Sequence, residues 1–135
     1  MIESFQDLDA AARTVWGEAR GEGDEGMAAV VWVVRNRSEK TGLSLRHTCW
    51  KPKQFSCWNE DDPNRSKLLA AGYDDPMYLH CLEIVCRVMR RLDDTDPTNG
   101  ARHYFRDDLV PWPEWAAGHT PSAHIGRHLF FNTIK

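Results

Sequence analysis

Glu18 is the residue around which a reaction could be built. It stands in the segment Trp16-Gly17-Glu18-Ala19-Arg20-Gly21-Glu22-Gly23, where an apolar helical pattern ends and glycines break the chain. A carboxyl group placed there sits beside a bulky aromatic and still faces a cleft. Burial disfavours the charged form of an acid, so such a group stays protonated nearer neutral pH and can hand its proton to a leaving oxygen. Trp16, Trp32 and a closed cleft are the candidates for that desolvation. Glu22 invites a second acidic role. On a continuous helix it would share a face with Glu18, so both acids would approach a substrate from one side and would not flank a scissile bond. Gly21 and Gly23 place Glu22 in the turn, where it is expected to cap the second helix or to pair with Arg20 or Arg37.

Other side chains carry chemistry with a plainer explanation beside it. Among the six histidines, His103, His124 and His128 could converge on a small sheet. A catalytic zinc needs three ligands and an open position. The chain has no His-Glu-x-x-His or Cys-x-x-Cys spacing, so these histidines are read as lining a cleft or fixing strand edges, and no metal or other cofactor is expected. Trp50, Trp58, Trp112 and Trp115 fall in loops, where an indole face either stacks on a ligand or pins its loop to the domain. Tyr104 could hydrogen-bond a ligand or be a half-buried strand residue.

The elements that must position these groups follow from periodicity. Ser4 with Asp7 reads as a capping pair, and Leu8, Ala11, Ala12, Val15 and Ala19 recur at helical spacing, which predicts a first helix over 7–20. A second runs over 24–38. Its centre, 27–34, is apolar nearly all round, the mark of a buried central helix. Residues 39–63 read as a long irregular loop, a length more often functional than idle. A short helix fits 64–71, and Asp75-Pro76 opens another with the stripe Tyr78, Cys81, Leu82, Val85, Val88, Met89 and Leu92. Residues 93–100 have turn chemistry, Asp93 and Asp94 among them. Then 101–106 and 124–131 read as short strands flanking a proline- and tryptophan-rich segment. The fold class is α+β: a mostly helical lobe with a small antiparallel sheet.

Bulk properties narrow the function. A chain of 135 residues with 41% hydrophobic and 27% charged residues suits one domain over 1–135. The net charge of −3 and the absence of a basic run argue against nucleic-acid binding. The longest apolar run, 27–34, is far too short to span a bilayer, so no stable membrane insertion is expected. The first residues lack the basic and apolar regions of an export signal, which predicts synthesis in the cytosol. Of the four cysteines, Cys81 and Cys86 point to different sides of a helix. Cys49 and Cys57 flank a loop and are expected to be reduced in that compartment.

Four blocks in order resemble the SleB/CwlJ-type cell-wall hydrolases. They are Glu18-Ala19-Arg20-Gly21-Glu22 with Gly26, Ala28, Val30 and Asn36-Arg37; Lys53-Gln54-Phe55-Ser56-Cys57; Pro97-Thr98-Asn99-Gly100-Ala101-Arg102-His103-Tyr104-Phe105; and Ile125-Gly126-Arg127-His128-Leu129-Phe130. The resemblance implies a lysozyme-like fold. It also implies cleavage of peptidoglycan glycan strands between N-acetylmuramic acid and N-acetylglucosamine, as a lytic transglycosylase, with no cofactor. By position it makes Glu18 the catalytic acid and sets Gln54, Phe55, Tyr104 and His128 near the glycan; Trp112 joins them as a stacking platform. Spore-cortex members carry an export signal and a wall-binding repeat that this sequence lacks, so a monomeric phage endolysin is expected, released from the host cytosol by a holin to reach the wall. The alternatives are a hydrolytic muramidase and, further off, a zinc-dependent amidase.

Overall fold

A computed structural model describes residues 3–52, 54–90 and 95–135. The expectations for Lys53, Leu92, Asp93 and Asp94 lie outside the described residues. The helical lobe begins with α1 (Phe5–Ala19). Ser4 Oγ accepts from the Asp7 amide at 3.2 Å while the Asp7 carboxylate accepts from the Ser4 amide at 3.1 Å, the reciprocal cap expected from the sequence. The next helix, α2 (Asp24–Thr41), is apolar on two sides for a structural reason. Met27, Val30, Val31 and Val34 join the helical core. Ala29 and Val33 join Ala101, Ile125 and Phe130 in a second cluster under the sheet.

Of the stretch expected to be irregular, 39–63, about half of the described residues lie in helical elements. The end of α2 takes its first residues, then come α3 (Leu45–Trp50), capped by Ser44, and a 3-10 turn (Ser56–Trp58). These pieces are too short to show a periodicity. They are held from outside: Leu45, Thr48, Cys49, Phe55 and Cys57 are buried, and the Trp58 indole donates to Thr14 Oγ1 at 2.8 Å. Two further helices complete the lobe, α4 (Asn64–Ala70) and α5 (Pro76–Met89). The Asp75 carboxylate accepts from the Met77 amide at 2.9 Å to cap α5. All four cysteines are free thiols.

The sheet has three antiparallel strands, β1 (His103–Arg106), β2 (Ala123–Ile125) and β3 (His128–Phe131), in the order β1-β3-β2. Residues 124–131 therefore form a hairpin and not the single strand expected. The turn is made by Gly126, whose φ of +55° an L side chain rarely adopts. Strand alternation gives the sheet two faces. Tyr104, Arg106, His128 and Phe130 face the helices, as the pairs Tyr104 with Phe130 and Arg106 with His128 require. On the other face Phe105 and Phe131 stack at 5.4 Å and pack with Ala116 and Ile134. This matches the fold class read from the sequence.

Candidate active site

Glu18 occupies the last turn of α1, where the helix meets the sheet. Two elements reach it. From β1 the Tyr104 hydroxyl donates to Glu18 Oε1 at 2.7 Å. From the 3-10 turn Ser56 Oγ lies 3.4 Å from Oε2. The second approach depends on Gly17: a Cβ there would sit 2.7 Å from the Cys57 Cβ, so only glycine lets the turn close on the helix. Behind Tyr104, Phe130 lies at 5.6 Å and Phe55 at 6.5 Å between ring centroids, and the His128 ring meets Tyr104 edge-on at 5.0 Å.

Glu22 ties the two lobes together. Its Oε1 accepts from the Arg127 amide at 2.8 Å and lies 3.3 Å from His128 Nδ1, with the carboxylate side chain only 13% exposed. The approach to His128 is a proximity and not an aligned hydrogen bond, since the buried Nδ1 finds no bonding partner. Gly126 packs directly on this carboxylate, where an added Cβ would stand 3.0 Å from Oε1. The expectation that Glu22 caps α2 or pairs with Arg20 or Arg37 is corrected. Arg20 bonds the Trp16 carbonyl and Asn64, and Arg37 bonds the carbonyls of Arg102 and Gln54. A structural role survives, with partners that only the turn between β2 and β3 could supply.

Burial governs the charges. Desolvation, then the adjacent Glu18, pushes the Tyr104 phenol well above its ordinary value, so it remains a donor. Burial pushes the Cys57 thiol up as well, with Glu18 adding to the effect. Burial lowers His128 against the pull of Glu22 and Glu18, which keeps the ring neutral. Glu18, Glu22, Gly21, His128, Arg106 and Arg127 line an open cavity of about 170 Å³ at this junction. Arg106 is held by Asp108 at 3.1 Å.

Of the residues expected at the site, Glu18, Tyr104 and His128 are brought together. Phe55 is a core residue, 1% exposed, beneath the Arg37 guanidinium and unable to touch a ligand. Gln54 is exposed but lines a different hollow, with Arg37 and His103. Trp112 packs on Phe105 and Phe131, on the sheet face turned away from Glu18, which makes it a loop anchor and not a platform for this cavity. Trp16 does not shield Glu18. Its indole donates to Asp75 at 3.1 Å and is covered by Arg20, because residues two apart on a helix point to different sides. Trp32 is capped by Arg35. Tyr104, Ser56 and Cys57 take the place of the expected indoles. Ser56, Arg106 and Arg127 were not singled out by the sequence, although Ser56 and Arg127 stand inside the motif blocks. Among the described residues no group of three or more His, Cys, Asp or Glu side chains is arranged to hold a metal ion.

Both the sequence and the fold are shared with known proteins. The chain belongs to the cell wall hydrolase family, whose model matches residues 21–131. It is 29% identical over 130 residues to the spore cortex-lytic enzyme of Bacillus subtilis, covering 94% of this chain and 38% of that protein. It is also 29% identical over 132 residues to that of Halalkalibacterium halodurans, covering 96% and 36%. The chain thus spans well under half the length of these relatives, and Glu18 falls inside the shared span. Its fold is that of the catalytic domain of the Bacillus cereus SleB protein, with a TM-score of 0.74, 23% identity, and 96% and 92% of the two chains covered. The catalytic domain of the germination-specific lytic transglycosylase SleB from Bacillus anthracis superposes with a TM-score of 0.72 at 23% identity, covering 95% of each chain.

Proposed function

We propose that this chain cleaves the glycan strands of bacterial peptidoglycan between N-acetylmuramic acid and N-acetylglucosamine as a lytic transglycosylase, with Glu18 as the acid and then the base. The observation that carries the reading is the Tyr104 hydrogen bond to Glu18 Oε1 at 2.7 Å, at the mouth of an open cavity between the lobes. With Oε1 occupied as an acceptor, the reading puts the transferable proton on Oε2, which the Ser56 hydroxyl approaches only to 3.4 Å. Glu18 gives this proton to the glycosidic oxygen as the bond from that oxygen to C1 of the muramic sugar breaks. The C6 hydroxyl of the same sugar then attacks C1, and the Glu18 carboxylate removes its proton as the 1,6-anhydro ring closes. The nucleophile is already part of the substrate, so no second carboxylate is needed and the attack is intramolecular. Glu22 fits this economy, since its carboxylate is engaged by the Arg127 amide and faces His128. The cell wall hydrolase family and the spore cortex-lytic relatives support the same substrate.

Digestion of purified sacculi tests the reaction. Mass spectrometry of the released fragments is expected to show 1,6-anhydromuramic ends. Reducing muramic ends would show that water attacks and that the chain is a hydrolytic muramidase. Glu18→Gln is expected to lower the rate by roughly 10²–10⁴-fold, the span of general acid–base catalysis, with the circular dichroism spectrum unchanged. A Glu18→Gln protein that still clears sacculi refutes the assignment.

A further inference from the structure

A second hollow, of about 160 Å³, opens on the chain where the end of α2, the end of α3 and the start of β1 meet. Arg37 and Lys40 come from α2, Lys51 closes α3, and Arg102 and His103 lead into β1, with Lys135 beside them. Thr41, Leu43, Thr48 and Gln54 complete the lining, and no Asp or Glu is among it. In a chain of net charge −3 this is a local reversal of sign. Helix C-termini favour Lys40 and Lys51 one at a time. They do not account for Arg102 arriving from the sheet, nor for the want of any acid to balance the set. Among the described residues Lys40 and Lys51 form no ion pair. His103 adds an independent mark: its Nδ1 is buried without a partner. Cations of one sign around a concave surface concentrate field and draw in an anion.

The hollow is electrostatically continuous with the acid's surroundings. Arg37 lines it, donates to the carbonyls of Gln54 and Arg102, lies 4.6 Å over the ring of Phe55, the neighbour of the Ser56 that approaches Glu18, and is near enough to feel Glu18. A muramic sugar carries a lactyl-linked peptide on the ring whose C1 bond is broken, so a bound strand must send that peptide out close to the acid. Resting on the glycan-cleaving reading, we infer that the hollow lined by Arg37, Lys40, Lys51 and Arg102 binds carboxylates of the peptide stem borne by the muramic acid, making stem-bearing strands the preferred substrate. The carboxylate meets a flexible cationic rim of Lys40 and Lys51, while Arg37, two of whose five N–H donors are spent on carbonyls, fixes the floor. Gln54, which lines this hollow and not the first cavity, thereby acquires a place on the substrate path.

Binding without turnover tests this. Two soluble ligands are compared on the Glu18→Gln protein by calorimetry and by NMR: the muramic disaccharide with a tetrapeptide stem, and the same disaccharide without it. The stem-bearing ligand is expected to bind roughly tenfold tighter, the scale of two partly screened charge pairs, and to shift the His103 ring resonances. The advantage is expected to shrink as salt rises. In the Lys40→Glu/Lys51→Glu protein it should vanish. The single Lys40→Ala and Lys51→Ala proteins, each losing part of the advantage, serve if the double variant does not fold. Equal affinity for the two ligands, or an advantage that survives both lysine changes, overturns the inference. Inorganic phosphate that shifts His103 where the stem does not would overturn it too, by making the hollow a phosphate site. Sacculus digestion by the wild-type protein reports separately on the reaction, so loss of stem preference with anhydro ends still formed would strike only the hollow.

Discussion

In the proposed mechanism one neighbour, Tyr104, decides which oxygen of Glu18 gives up its proton. The Tyr104 phenol is a fixed donor, and its loss should be felt in the chemical step. Tyr104→Phe keeps the ring packing on Phe130 and His128 but removes the bond to Oε1. A hydrogen bond to a charged group contributes about 1.5–3 kcal/mol, so kcat on sacculi is expected to fall roughly 10- to 100-fold with little change in KM. The two sheet histidines make a prediction about pH. Burial, then Arg37 and Arg102, pushes His103 down to about 4, and burial lowers His128. Their unfolded counterparts titrate near 6.5. The unfolded chain therefore binds protons that the folded chain refuses, and stability contributed by the neutral rings is complete above 6.5 and drains away as pH falls toward 4. Melting temperatures across that window should decline, and His103→Gln should flatten the decline. At this scale the sequence made Glu18, Tyr104 and His128 legible, because each stands in a motif block. Phe55 and Trp112 were misread, since residue type alone does not tell which side of a loop or sheet a ring will face.

The elements meet through two close approaches and one carboxylate. At Gly17 the 3-10 turn touches the helix backbone, and a methyl there overlaps the Cys57 side chain. Overpacking of this kind costs about 1–3 kcal/mol, so Gly17→Ala should lower the urea midpoint and, by pushing Ser56 away, depress activity beyond the loss of stability. At the other contact Glu22 holds the hairpin turn. Glu22→Ala removes the acceptor of the Arg127 amide and the carboxylate on which Gly126 packs, and is expected to destabilise by about 1–3 kcal/mol. Chemical denaturation at pH 7 measures both. The capping pair of α1, the Pro76 start of α5 and the central helix were readable because their signals are local. The hairpin and α3 were not. A glycine inside an apolar run permits a bulge or a turn equally well, and six residues of helix carry no periodicity above noise.

Across the whole molecule, α2 is shared property. One side completes the helical core and another completes the floor of the sheet, so the lobes are expected to unfold together. Phe130, wholly buried in that floor, is the place to test it. Phe130→Ala should destabilise by about 3–5 kcal/mol, with far- and near-ultraviolet circular dichroism losing signal in one coincident transition. Separate transitions would show that the sheet melts alone. Asn36 helps to bind the halves, donating to Asp96 and to the Ala101 carbonyl at 2.9 Å each, which gives the Asn36-Arg37 motif an architectural meaning.

The chain by itself determined its longer helices, its class, its family blocks and the acid at the end of α1, because periodicity, caps and motif order are written between neighbours in sequence. Only the tertiary structure decided what surrounds that acid. Tyr104 lies 86 residues from Glu18, and the Arg127 amide 105 from Glu22. Such partners are chosen by how helix and sheet pack and by which strand face turns inward, quantities that no local pattern carries.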